Sequence, residues 1–280
     1  MREEGELLHS AHPVEESMRV EVLESLRRIE AEQKVTVLFA CESGSRGWGF
    51  ASPDSDYDVR FIYVHRLPWY LTVAPGRDVI ELPISGELDV NGWDLRKALA
   101  LLRESNPTLL EWLGSPIVYR EEADVMTRFR TLAQRVFSNA KGWHHYASMA
   151  KKNFREHLQA DEVRYKKYLY VLRPLLAARW IRARPGVPPM RFAELAQHTL
   201  DATRDATLIA EINALLEVKM RAGEAATSPR WPGIHAFIET ELARNAAEPV
   251  QPVPMAGHAD LDALLHDTVL HFDPRCNDRS

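Results

Sequence analysis

The sequence predicts an α+β protein: an N-terminal α/β domain followed by an all-α domain. β-rich apolar runs are confined to about the first 120 residues. Beyond Glu121 apolar residues recur at helical spacing, and Pro/Gly-rich breaks punctuate that second half.

Pro13 opens a helical stretch to about Gln33, with Val14, Met18, Val22 and Ile29 forming one buried stripe. Val35-Thr-Val-Leu-Phe-Ala-Cys41 is short, β-rich and bounded by a glycine cluster, as expected of a buried central strand. Tyr57 to Val64 predicts a second strand, and Val79 to Ile84 and Glu87 to Val90 two more. Asp94 reads as the cap of a helix through about Glu104, and Pro107 starts a shorter one.

Helices are then expected over roughly 121–137, 139–160, 162–183, 191–200, 204–222, 231–246 and 259–270. Breaks fall at Arg184 to Pro189 and at Gly223 to Pro229, and Glu248 to Pro254 reads as an extended Pro-rich connector. The expected domains are 1–120, 121–247 and a connector with a C-terminal helix over 248–280. Pro174 lies inside a helical pattern and is expected to kink it, freeing backbone groups near Tyr170.

Composition narrows the class. With 280 residues, 45% of them hydrophobic, the chain can bury a sizeable core, which excludes wholesale disorder. A net charge of −5 argues against coating nucleic acid through overall charge. The two cysteines, Cys41 and Cys276, make no disulfide framework and no metal-type pair. The N-terminus is too acidic for a signal peptide, and the apolar runs are too short to span a bilayer, so a soluble cytoplasmic protein is expected.

The informative segment runs from Cys41 to Asp58. A strand ends and Gly44-Ser45 follows at once, with further glycines at 47 and 49, so backbone can come close to a ligand and present amides to phosphate. Asp56-Tyr57-Asp58 then enters the next strand. Residues i and i+2 of a strand share a face about 6.5–7 Å apart, a spacing at which two carboxylates can jointly hold hard cations. A polar turn entering a strand is the competing reading.

Gly-Ser, a spacer of about ten residues and a carboxylate–apolar–carboxylate triplet resemble the active-site signature of the DNA-polymerase-β-like nucleotidyltransferase superfamily. Gly92 to Leu99, Ser105 to Leu113, Ser115 to Tyr119 and Tyr168 to Leu176 resemble the YcgL-type group, the RNA-repair-pathway polymerase-β-like family (RlaP).

The resemblance implies a nucleotidyltransferase-like N-terminal domain with a mixed sheet. It also implies transfer of a nucleoside monophosphate from an NTP to an acceptor hydroxyl with pyrophosphate release, RNA being the expected acceptor. Asp56 and Asp58 would hold Mg²⁺ or Mn²⁺, with Asp89 as third carboxylate and Asp94, which reads better as a helix cap, as the alternative. Gly44, Ser45 and Arg46 would bind phosphate. For Arg46 and Arg60 a surface salt bridge is an equal alternative. Other acceptors (a protein side chain or a small molecule) and a non-catalytic nucleotide-binding subunit are the competing functions.

The net charge hides an asymmetry. Residues 141–184 hold 11 Lys and Arg against three acids, a block of +8 that leaves −13 elsewhere. Such a block suits a triphosphate or an RNA backbone, with Lys151, Lys152, Lys166 and Lys167 as candidates and a solvated helix face as the alternative. Trp143-His-His-Tyr146 does not read as zinc: adjacent helical histidines diverge by about 100° and neither has a third ligand at i+4.

Overall fold

The protein, a computed structural model, is described over residues 12–184, 186–221, 227–251 and 259–273. In chain order the first elements are α1 (Glu16–Gln33), β1 (Val35–Glu42), α2 (Gly44–Trp48), β2 (Tyr57–His65), α3 (Leu67–Tyr70), β3 (Val79–Glu81) and β4 (Leu88–Asp94). Then come α4 (Leu95–Arg103), α5 (Pro107–Leu113), β5 (Val118–Glu121), α6 (Ala123–Val136) and α7 (Asn139–His157). The remainder is β6 (Glu162–Arg164), α8 (Tyr165–Ala183), α9 (Phe192–Thr199), α10 (Ala206–Arg221), β7 (Thr227–Pro229), α11 (Pro232–Ala247) and α12 (Ala259–Phe272). The α+β expectation holds.

These residues form two compact units, one drawing on the described residues within 14–44, 56–137 and 259–273, the other on those within 12–13, 45–55 and 138–251. The units depart from the sequence-based boundaries in four places: α6, α12, the segment 45–55, and residues 12–13, which group with the helices. α6 and α12 belong with the sheet, because their apolar faces, Phe129 and Leu132 on α6 and Leu261 and Leu264 on α12, are buried there. The segment 45–55 belongs with the helices.

In the sheet unit the strand order is β3-β4-β2-β1-β5; β2 and β4 run parallel and the other neighbours antiparallel. The mixed sheet is as expected, with β4 longer than its sequence signal and β3 shorter. One face packs Val37, Val59, Phe61, Tyr63 and Val90 against Val22, Leu26 and Ile29 of α1. α4, α6 and α12 pack against strands β1, β2 and β4. β1 reads as one apolar run because it is buried throughout, apart from a half-buried Thr36.

In the helical unit α7 and α8 form an antiparallel hairpin. α8 is apolar on nearly every side because α7, α9, α10 and α11 all pack against it. It runs unbroken through Pro174, which cannot donate to the carbonyl of Tyr170. The side-chain amide of Asn153 on α7 donates to that carbonyl instead, at 2.9 Å. Strand structure does not end at Glu121: β6 pairs antiparallel with β7 in a two-stranded ribbon too short to show in the pattern. Parts of the break at 223–229 and of the connector at 248–254, and all of Cys276, lie outside the described residues. No helix among the described residues is long and apolar enough to cross a membrane.

Candidate active site

The site is built on the ends of β1, β2 and β4. In the parallel pair of β2 and β4, Asp58 stands in register with Asp89, so both carboxylates rise from the same face of the sheet. Arg60, two residues along β2, shares that face. Its Nη2 donates to Asp58 Oδ1 at 2.8 Å and to Asp89 Oδ2 at 2.7 Å, and its Nη1 donates to the backbone carbonyls of Val59 and Asp89. One guanidinium thus holds two half-buried acids together. Asp56 is exposed between the buried residues Ser55 and Tyr57, just ahead of the strand.

Asp94 is five residues from Asp89 along β4, and an odd separation puts it on the opposite face. It caps α4, accepting from Arg96 N at 2.9 Å, and accepts from the Tyr70 hydroxyl at 2.7 Å. Burial pushes its carboxyl up to about 6, against the pull of those two hydrogen bonds and the Arg96 charge. Asp89, not Asp94, therefore stands beside Asp58.

Gly44 sits at φ +54°, and a Cβ there would lie 1.9 Å from Asp58 Oδ2. Only glycine lets the β1–α2 turn come this close to the acid. Behind the turn lies a residue that sequence reasoning missed. Glu42 is fully buried, accepting from Asp58 N at 2.8 Å through Oε1 and from the Tyr119 hydroxyl at 2.5 Å through Oε2. It fixes the backbone of Asp58. The available signal was an acid closing an otherwise apolar strand. Burial, then the Glu42 charge, pushes the Tyr119 hydroxyl and the neighbouring Cys41 thiol well above their usual ranges, so both stay protonated.

Within the helical unit, the carbonyl of Ser45 accepts from Gly49 N and Phe50 N, closing a tight turn. Arg46 does not offer itself to phosphate. It is buried, donating to Ser55 O at 2.8 Å and to His12 O at 3.3 Å, and so clamps the segment 45–55. Trp48 lies under the Arg173 guanidinium, 4.9 Å from its ring centroid, and meets Phe50 and Tyr170 edge-on or tilted; Phe50 in turn meets Phe192. From α10 the fully buried Lys219 reaches Ser52 Oγ at 2.8 Å, and Ser52 Oγ is 3.0 Å from Ser55 Oγ.

The candidate lysines differ among themselves. Lys151 and Lys152 are exposed on α7, with Lys152 3.9 Å from Glu156. Lys166 and Lys167 are half-buried in the first turn of α8. Lys167 stands over the Tyr170 ring, 3.3 Å from His157 Nε2. Partial burial, helped by Lys166 and Arg164, holds its ammonium below the usual lysine range.

Asp56, Asp58 and Asp89 supply the oxygen donors that hard divalent cations take, and Gly44 leaves room for backbone beside them, so the donor chemistry fits such an ion. Among the described residues no three His, Cys, Asp or Glu already converge as a ligand set. The positive charge between Asp58 and Asp89 comes from Arg60.

The chain matches the model of the RNA repair pathway DNA polymerase beta family, RlaP, over residues 18–267. It is 44% identical over 254 residues to the uncharacterized protein YcgL of Bacillus subtilis strain 168, covering 90% of this chain and 96% of that one. A solved structure, a nucleotidyltransferase-like protein from Exiguobacterium sibiricum 255-15, aligns at 14% identity and a TM-score of 0.31, over 90% of this chain and 76% of that one.

Proposed function

Because the chain belongs to the RNA repair pathway DNA polymerase beta family, we propose that it transfers a nucleoside monophosphate from an NTP to the 3′ hydroxyl of RNA, releasing pyrophosphate, with Mg²⁺ or Mn²⁺ as cofactor. The observation that carries the reading is the register of Asp58 beside Asp89 with Gly44 against the Asp58 carboxylate. Asp56, Asp58 and Asp89 would hold the divalent ions, which when bound neutralise charge on the triphosphate and on the attacking and leaving oxygens.

The chain's own residues do the positioning. Gly44, with no side chain, and Ser45 bring backbone amides to the triphosphate. Glu42 fixes the Asp58 backbone from beneath. Arg60 restrains the repulsion between Asp58 and Asp89 until substrate arrives. The exposed cations of α7 offer positive charge to an RNA backbone.

Incubating the protein with each labelled NTP, Mg²⁺ or Mn²⁺ and RNAs of defined ends tests this. Label is expected at RNA 3′ ends, and is lost in Asp56→Ala and Asp58→Ala. Label on protein or small molecules but on no RNA overturns the acceptor, and no transfer from any NTP overturns the activity.

A further inference from the structure

A groove of about 450 Å³ lies between α7 and α11, within the range of small-ligand sites. Ala147, Phe154, Leu242 and Ala243 give it an apolar wall. Two of its lining residues carry buried donors with no hydrogen-bond partner among the described residues: Trp143 Nε1 and Asn245 Nδ2. Trp143 is 6% exposed and Asn245 8%. The Asn245 carbonyl oxygen is taken by Arg182 Nη2 at 2.9 Å, which leaves its amide nitrogen as the donor. Both donor atoms are closed to solvent, so they lie behind the surface of the groove and do not face a ligand in it.

The rim is cationic. His144, Ser148, Lys151 and Arg155 recur at spacings of four, three and four and so lie along one exposed face of α7. No Asp or Glu lines the groove, and among the described residues neither Lys151 nor Arg155 has an ion-pair partner.

The groove is not the wall that holds Trp48. Arg173 stacks on Trp48 and Arg182 on Trp143. Nine residues at about 100° each place these two arginines on opposite faces of α8.

We infer that this groove binds one nucleotide of an RNA strand: the base against Phe154 and Leu242, and the phosphates on Lys151 and Arg155. A planar base with an attached phosphate is the chemistry that meets an apolar wall and a cationic rim at once. The site is a holding point for the acceptor strand within the helical unit, and so rests on the RNA-directed reading above.

Anisotropy of a labelled single-stranded RNA, in EDTA so that no divalent ion contributes, tests this on the full chain. Lys151→Ala with Arg155→Ala is expected to weaken binding about tenfold and to lower the slope of log affinity against log salt by about 1.4, or about 0.7 for each phosphate no longer neutralised. Ala243→Trp fills the groove from an exposed position and should cost about fivefold with an unchanged melting temperature. Millimolar AMP should displace the RNA from the wild type, and less readily from Ala243→Trp. RNA binding at wild-type strength in the rim and Ala243→Trp variants overturns the inference. Asp58→Asn separates the two readings: it should abolish nucleotidyl transfer and leave this RNA affinity unchanged. Loss of RNA affinity in Asp58→Asn would place the strand at the acids instead and overturn the groove.

Discussion

Replacing Arg60 with methionine keeps the packing of the stem and removes the cation between Asp58 and Asp89. Two charge-assisted hydrogen bonds, 2.8 and 2.7 Å long, disappear. Such bonds are worth about 1.5–3 kcal/mol each when dry. Here the arginine is 17% exposed and the acids 28% and 35%, so roughly half of that survives solvent screening. The two carboxylate oxygens shared one nitrogen and so lie about 5 Å apart; at an effective dielectric of about 40 they repel by about 1.7 kcal/mol. The metal-free variant should therefore lose about 4 kcal/mol, a fall of about 8–16 °C in melting temperature. The same change removes the competitor for a divalent cation, so Mn²⁺ should bind about tenfold more tightly, the equivalent of 1.4 kcal/mol. Melting in EDTA and calorimetric titration with Mn²⁺ read both effects without any turnover. A variant that melts with the wild type in EDTA and binds Mn²⁺ no more tightly refutes the assignment of Arg60 as the resident cation of this site.

Gly44→Ala must accommodate a Cβ beside Asp58 Oδ2 at a left-handed φ. Since a displacement of about 1 Å at a reacting group can cost 10²-fold, nucleotidyl transfer should fall by about that much or more, and wild-type turnover would contradict it. Asp94 has its folded pKa raised to about 6. The folded state therefore holds that proton more tightly, and stability falls as pH rises between about 4 and 6. Asp94→Asn keeps the cap acceptor and should flatten that part of the stability profile, gaining about 3 kcal/mol above pH 6 relative to wild type; melting curves across pH check it, and an unchanged slope counts against it. Asn153→Ala leaves the Tyr170 carbonyl without its donor and should cost about 1–2 kcal/mol in chemical denaturation. In a Pro174→Ala background the residue at 174 regains an N–H, so the same substitution should cost about 1 kcal/mol less; an additive double-mutant cycle would show that Asn153 does not act on that carbonyl.

Much of the site was readable because its signals are local. Gly44-Ser45 and Asp56-x-Asp58 lie within fifteen residues, and strand alternation alone puts Asp58 and Arg60 on one face. Pro174 announced an orphaned carbonyl, and the structure supplies Asn153 for it. What escaped was set by long-range packing. That Asp89 faces Asp58, of all the residues of β2, could be read only from the register of β4 on β2. Glu42 looks like a strand-end acid until Tyr119, 77 residues on, is placed against it. Arg46 resembles a phosphate ligand in a glycine-rich turn, yet it is spent on the carbonyls of Ser55 and His12. β6 and β7 are three residues each and pair across more than sixty, leaving no periodicity to detect.

The buried bond from Lys219 to Ser52 joins residues 167 apart in the chain. At roughly 5–20 residues per second, a ribosome needs about 8–33 s to pass from one to the other. β1 and β2 can pair as soon as residue 65 has emerged, so the strands flanking the segment 45–55 are complete long before the cation that bonds to it exists. The stretch that carries Ser45 is thus a late-maturing part of an early-made region. A message cut between codons 122 and 218 encodes a sheet whose strands can pair around a glycine-rich segment that lacks its buried lysine.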